Sequence, residues 1–122
     1  MQATLYRFNP DAEFYFAEGC FITELSNTAA DGEVSIARAR LEPGKCTRWH
    51  RLRATAERYV ILQGTGRIEV GEQLREAVGA ADVVVIPPMS SQRICNTGSV
   101  DLLFLVICTP RFSLEAYEGL EE

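Results

Sequence analysis

The chain has 122 residues, 47% of them hydrophobic and 24% charged, with a formal net charge of −5. That length supports one core rather than two ordinary domains, and the composition is that of a soluble globular protein. The acidic balance opposes a nucleic-acid partner, no apolar run approaches the ~20 residues of a membrane helix, and the N-terminal MQATLYRFNPDAEF lacks the basic-then-apolar order of a secretory leader, so a cytoplasmic location is expected.

In chain order, FYFAEGCFITEL alternates loosely into a strand that ends at the turn-rich SNTAADGE. EVSIARARLEPG follows as a second strand, with Val34, Ile36, Arg38 and Arg40 on one face and Ser35, Ala37, Ala39 and Leu41 on the other. Pro43 and Gly44 turn the chain into CTRWHRL, and ERYVILQG, rich in β-branched and aromatic residues, stops at Gly64. GRIEVGEQ and the residues up to AVGAAD read as a hairpin, VVVIPP as a buried strand, QRICNTGS as a short strand and turn, and DLLFLVICTP as the last strong strand. The acidic RFSLEAYEGLEE fits either a half-turn of helix or a strap over a barrel mouth. Many short strands with Pro and Gly turns, and no long helical pattern, predict a closed or double-sheet all-β fold. The four cysteines, Cys20, Cys46, Cys95 and Cys108, form no CxxC pair and are expected to be reduced thiols.

Candidate chemistry concentrates between Gly44 and Gly66, in GKCTRWHRLRATAERYVILQGTG, which holds the single histidine, His50, the single tryptophan, Trp49, and four arginines. On an extended strand Cys46, Arg48, His50 and Leu52 share a face, so Arg48 is a candidate ligand-binding residue beside His50 and Trp49 points the other way. Arg48, Arg51, Arg53 and Arg58 read either as a local positive field that attracts a small anion or as partners of Asp and Glu on a solvated face.

The spacing of these residues resembles the cupin superfamily, small β-barrels of the jelly-roll type. Gly44, His50, Glu57 and Gly64 fall on the first cupin motif, with Leu52 where the second histidine usually stands. Ala81, Pro87, Met89, Gln92 and Asn96 occupy the second motif, in which the proline and asparagine match while both glycines and the histidine do not. The resemblance implies an all-β double-stranded β-helix, a single cupin domain over residues 1–122 with its barrel core at about 20–110 and a tail at 111–122. Met89 in place of glycine is expected to alter the turn before Gln92, because a side chain discourages positive φ.

In metal-binding cupins the matching positions converge on one divalent ion, which here leaves His50, Glu57 and Gln92 as a weak set for Fe, Mn, Ni or Zn. Without metal, the resemblance makes His50 and Glu57 a general acid–base pair, with Gln92 orienting a substrate and Tyr59, on the Glu57 face, lining the pocket. A satisfied internal His–Glu–Gln network is the structural alternative.

Three functions follow from the resemblance. The first is binding and transformation of a small polar metabolite, a sugar or sugar phosphate, by isomerase, epimerase or lyase chemistry; ERYVILQGTGRIEV is similar to the cupin domain of mannose-6-phosphate isomerases, which makes Arg51, Arg53 or Arg93 phosphate partners. The second is a non-catalytic ligand-binding or sensor module, and the third a metal-dependent dioxygenase. Cupin edges also imply a homodimer, with Phe14, Tyr15 and Phe16 at the contact.

Overall fold

The computed structural model describes residues 1–121. An exposed arm leads to a 3-10 turn at Pro10–Ala12, where the Asn9 side chain accepts from the Asp11 N–H. Strand β1 (Phe14–Phe16) turns at Gly19 into β2 (Cys20–Ser26), and a second 3-10 turn at Ala29–Asp31 leads to β3 (Ser35–Leu41). Then come β4 (His50–Leu52), β5 (Ala56–Gln63), the hairpin of β6 (Thr65–Val70) and β7 (Leu74–Gly79), and β8 (Val83–Ile86). The chain closes with β9 (Gln92–Asn96), β10 (Leu102–Thr109), a 3-10 turn at Leu114–Ala116 and β11 (Tyr117–Gly119). Among the described residues no helix is long and apolar enough to cross a membrane.

The strands form two antiparallel sheets, one in the order β1-β2-β3-β10-β5-β8 and the other β11-β4-β9-β6-β7. From β3 onward strands consecutive in sequence alternate between the sheets except at the β6–β7 hairpin, as in a double-stranded β-helix, and the all-β jelly-roll expectation holds. The inner faces meet in one core whose members include Ile61, Phe104, Ile68 and Ile94, each at most 2% exposed. Each such side chain contributes ~1.5–3 kcal/mol by leaving water.

Strand β3 shows how the two faces divide. Ser35, Ala39 and Leu41 are buried and Ala37 packs on the core, while Arg40 points outward, onto Glu13 at 2.7 Å and over the Phe21 ring. Small inner side chains at positions 35 and 37 leave space inside the barrel, and both line its cavity. Strand β8 departs from the expectation of a buried strand: Val84 and Ile86 face the core, but Val83 and Val85 are 58% and 61% exposed, because β8 is the sheet edge and only one side is covered. The closing segment is both things its sequence allowed, a 3-10 turn followed by a strap in which Tyr117 pairs with Leu52 and Gly119 with His50.

Two further expectations are corrected. Cys46 and Cys95 face each other across an antiparallel bridge, with Cα atoms 3.9 Å apart, and are joined as a disulfide; Cys20 and Cys108 are free and buried. The two bonded residues are 49 apart in sequence, so only the sheet brings them together. Met89 does not abolish the left-handed turn: its φ is 64°, and Ala81, at the other missing glycine, has φ 73°. Hydrogen bonds hold both, since Met89 N–H donates to the Leu52 carbonyl and Ala81 N–H to the Ile61 carbonyl, each at 2.8 Å. Those bonds offset the ~1–2 kcal/mol that a side chain adds in this region.

The first-motif glycines keep positive φ, 76° at Gly44 and 88° at Gly64, but differ in surroundings. A Cβ at Gly44 would meet nothing within 4 Å, whereas at Gly64 it would lie 3.0 Å from the Asp101 carbonyl oxygen and 3.2 Å from Leu102 Cα. Gly44→Ala is therefore expected to cost about 1 kcal/mol from backbone conformation alone, and Gly64→Ala at least about 1 kcal/mol more from crowding. Urea denaturation of the two variants checks this, and equal losses would contradict it.

Candidate functional site

A small cavity of about 60 Å3, open at its mouth, lies inside the barrel and is lined by residues of both sheets, among them His50, Glu57 and Leu52. The strap over β4 adds Tyr117, whose ring stacks on His50 with centroids 5.5 Å apart.

His50 is 1% exposed and held from both sides. Its Nδ1 donates to the Arg48 carbonyl at 2.6 Å and its Nε2 to Glu18 Oε2 at 2.9 Å. Donation from both ring nitrogens is possible only for the imidazolium. Burial opposes that charge, but the Glu18 hydrogen bond and charge, the Arg48 carbonyl and the charge of Glu57 outweigh it and raise the His50 pKa to about 9. Burial likewise pushes Glu18 up, yet His50, with a smaller contribution from the Cys20 thiol at 3.3 Å, holds it below its ordinary value.

Glu57 is the second carboxyl group of the cavity and is 5% exposed. Burial and repulsion from Glu18 push it up to about 7, against the pull of His50 and of the Gln92 amide. Gln92 bridges two buried groups: its Nε2 donates to Glu57 Oε1 at 2.6 Å and its Oε1 accepts from Tyr59 O–H at 2.5 Å. Gln92 and Tyr59 thus stand behind Glu57 rather than on the cavity wall.

The other residues singled out in the sequence lie elsewhere. Arg48 is exposed and gives the site only backbone groups, its carbonyl to His50 and its N–H to the Glu18 carbonyl at 2.6 Å. Arg51 and Arg53 share Glu118, Arg58 donates to Thr109 Oγ1, and Arg93 pairs with Glu69 at 2.5 Å while lying over Trp49. Three of the four clustered arginines therefore have acceptors outside the barrel, and no arginine or lysine is among the residues lining the cavity. Phe14 and Phe16 line the cavity, and Tyr15 between them is 63% exposed. Glu18 and Tyr117 could not be found from the motif spacing, because they come from the β1–β2 turn and the C-terminal strap. The available signal for the β2 side was alternation, which puts Cys20, Ile22 and Glu24 on one face, the first two buried and Glu24 exposed where it lines the cavity.

The three ligand positions implied by the motifs do not fit a divalent ion as they stand. The imidazolium has no free lone pair, and the Gln92 oxygen already accepts from Tyr59. Glu57 alone keeps an oxygen, Oε2, toward the cavity, and no group of three or more His, Cys, Asp or Glu side chains suited to a metal occurs among the described residues.

A family model described as a cupin domain matches residues 37–108. The chain is a cupin. It is 33% identical over 106 residues to the uncharacterized protein MJ1618 of Methanocaldococcus jannaschii, covering 85% of this chain and 84% of that one. Among solved structures it is similar to KdgF from Halomonas sp., with TM-score 0.77 and 14% identity over 89% of this chain and 96% of that one. It is also similar to Pac13, a nucleoside dehydratase from Streptomyces, with TM-score 0.77 and 16% identity over 97% of this chain and 92% of that one. At these identities the two structures establish the shared fold alone.

The cupin's buried charges set the pH dependence of its stability. Glu57 is raised from 4.5 to about 7, so its contribution is fully present below pH 4.5 and lost as pH rises to about 7; His50 is raised from 6.5 to about 9, so its contribution is present below pH 6.5 and lost by about pH 9. Each is worth roughly 3 kcal/mol. The thiols and phenols nearby stay neutral through this window, since Cys108 and Tyr117 are pushed to about 12 and Cys20 and Tyr59 well above their ordinary values. The melting temperature is expected to fall from about pH 5 to pH 9, Glu57→Gln removing the lower half of the decline and His50→Gln the upper half. A profile of wild type that rises over this range would refute the assignment.

Proposed function

We propose that this cupin is an acid–base enzyme of isomerase or lyase type, acting without metal on a small polar, sugar-like metabolite in the barrel cavity. The observation that carries this reading is the pairing of a buried Glu57, pushed up to about 7, with an imidazolium at His50 in the same cavity. A carboxyl group with a pKa near neutrality exchanges protons most effectively at neutral pH.

In this mechanism Gln92 holds Glu57 Oε1, and Oε2 takes a proton from a substrate carbon next to an electron-withdrawing group. The His50 charge, fixed by Glu18 and the Arg48 carbonyl, stabilises the negative charge that develops. Glu57 then returns the proton to carbon, giving isomerisation, or to a leaving hydroxyl, giving elimination. The dehydratase activity of the similarly folded Pac13 belongs to the second type. The phosphate half of the sequence-based expectation has no support in the cavity, since Arg51, Arg53 and Arg93 are paired on the outside.

A screen of neutral and amino sugars, sugar acids and nucleosides with chelator-treated protein tests this reading. A substrate turned over by wild type is expected to lose about 100-fold or more in kcat with Glu57→Gln, with KM little changed. Undiminished turnover in both Glu57→Gln and His50→Gln would sink it. Tight retention of a screened compound with no chemical change would favour the second reading, a non-catalytic binding cupin, which the internally satisfied Tyr59–Gln92–Glu57 chain also suits.

We further propose that two copies associate as a homodimer. The support is the exposed apolar arm, with Leu5 71%, Tyr6 47% and Phe8 49% exposed, beside the open edge strand β1. An extended apolar arm and an unpaired edge both call for cover. Light scattering at micromolar concentration is expected to give twice the chain mass, and deletion of residues 1–8 to shift it to one; a monomeric wild type contradicts the dimer.

A further inference from the structure

The cavity has a charge and wall chemistry that specify its ligand more closely than "small and polar", and the inference rests on the cavity being the functional site. Three carboxylate-bearing residues line it, Glu18, Glu24 and Glu57, against one cation, His50. Glu18 and His50 cancel as a bonded pair at 2.9 Å. Glu24, exposed on β2 where it lines the cavity mouth, forms no ion pair among the described residues, and Glu57, only 5% exposed, leaves Oε2 without a hydrogen bond. The cavity and its mouth therefore carry excess negative charge, and at Glu57 that charge sits in surroundings where it is poorly screened.

Its walls are aromatic. Phe16 lies at the centre of a set of edge-on ring pairs, with Phe14 at 6.4 Å, Phe112 at 6.1 Å and Tyr117 at 5.0 Å between centroids. All four rings line the cavity. Aromatic faces attract cations through their quadrupole, carboxylates through charge, and neither favours an anion.

We propose that the ligand of this cavity carries one positively charged nitrogen, an ammonium or alkylammonium group seated between the Phe16-centred rings and the carboxylates of Glu24 and Glu57. A neutral sugar would leave the excess charge uncompensated, and a phosphate would add to it. The aromatic residues that the sequence placed at a subunit contact thus become, for Phe14 and Phe16, part of the ligand wall.

The test is amide-resolved NMR titration at pH 8 with three probes: tetramethylammonium, its neutral near-isostere tert-butanol, and inorganic phosphate. Tetramethylammonium is expected to shift the Phe16, Glu18 and Tyr117 amides saturably, about tenfold or more tighter than tert-butanol, with no saturable effect of phosphate. Glu24→Gln is expected to weaken the cation about threefold or more, and Phe112→Leu to weaken it while leaving tert-butanol unchanged. Equal or tighter binding of either other probe, no saturable shift with the cation, or indifference to both substitutions would overturn the proposal. Because the titration reads binding and no turnover, cation preference can hold in a protein with no acid–base activity, and that activity can hold without cation preference.

Discussion

The Glu18–His50 ion pair constrains everything else in the barrel. A buried imidazolium is costly unless its partners are in place, and here one carboxylate and one backbone carbonyl occupy both ring nitrogens. Once that pair exists, His50 is no longer a ligand but a fixed charge. It partly stabilises the anion of Glu57 while Glu18 opposes it, and burial decides the balance, leaving Glu57 near neutrality. A second basic side chain at position 92 would compete for the same carboxylates. The neutral amide of Gln92 instead splits its two functions between Tyr59 and Glu57, and Leu52 fills the remaining ligand position with apolar bulk.

The framework around this pair tolerates the loss of family glycines because the turns are specified by hydrogen bonds as well as by residue type. Ala81 and Met89 both adopt the left-handed conformation, and each donates its N–H to a carbonyl of a strand that the turn must abut. The motif asparagine has a similar structural task. Asn96 Nδ2 donates to the Leu41 and Val100 carbonyls at 2.9 and 2.8 Å, and its Oδ1 accepts from Gly98. The matching asparagine thus bounds β9 and takes no part in the cavity.

Much of the fold was legible because alternation and turn residues are local properties. The two faces of β3, though not which of them points inward, the glycine at the end of β5 and the prolines closing β8 could all be read along the chain. What joins distant segments could not. Glu18 reaches His50 from a turn before β2, and Tyr117 from a strap beyond β10. Cys46 and Cys95 meet only because β9 runs beside the approach to β4. The arginines near His50 were visible as a cluster, but the Glu118 that takes Arg51 and Arg53 and the Thr109 that takes Arg58 lie far along the chain, so the cluster looked like a binding field when three of its four members are engaged outside the barrel.

That outer surface still bears on the cavity, through register. In β9, Gln92 points inward to Glu57 and Arg93 outward to Glu69, and a slip of one residue would exchange them. Glu69, on β6, is 5% exposed beneath Arg67, Arg75 and Arg93, so its carboxylate is buried and strongly tied to that side of the sheet. A slipped strand would bury the Arg93 guanidinium beside the imidazolium of His50, a penalty of the kind that unpaired buried charge makes severe, and would cost Glu69 its shortest ion pair, leaving it Arg67 and Arg75 at 3.4 Å. The Thr47 hydroxyl accepting from the Ile94 N–H and the neighbouring Cys46–Cys95 bond fix the same alignment at the other end of β9. The charges outside the barrel therefore select the register that places a neutral amide, and not a cation, against Glu57.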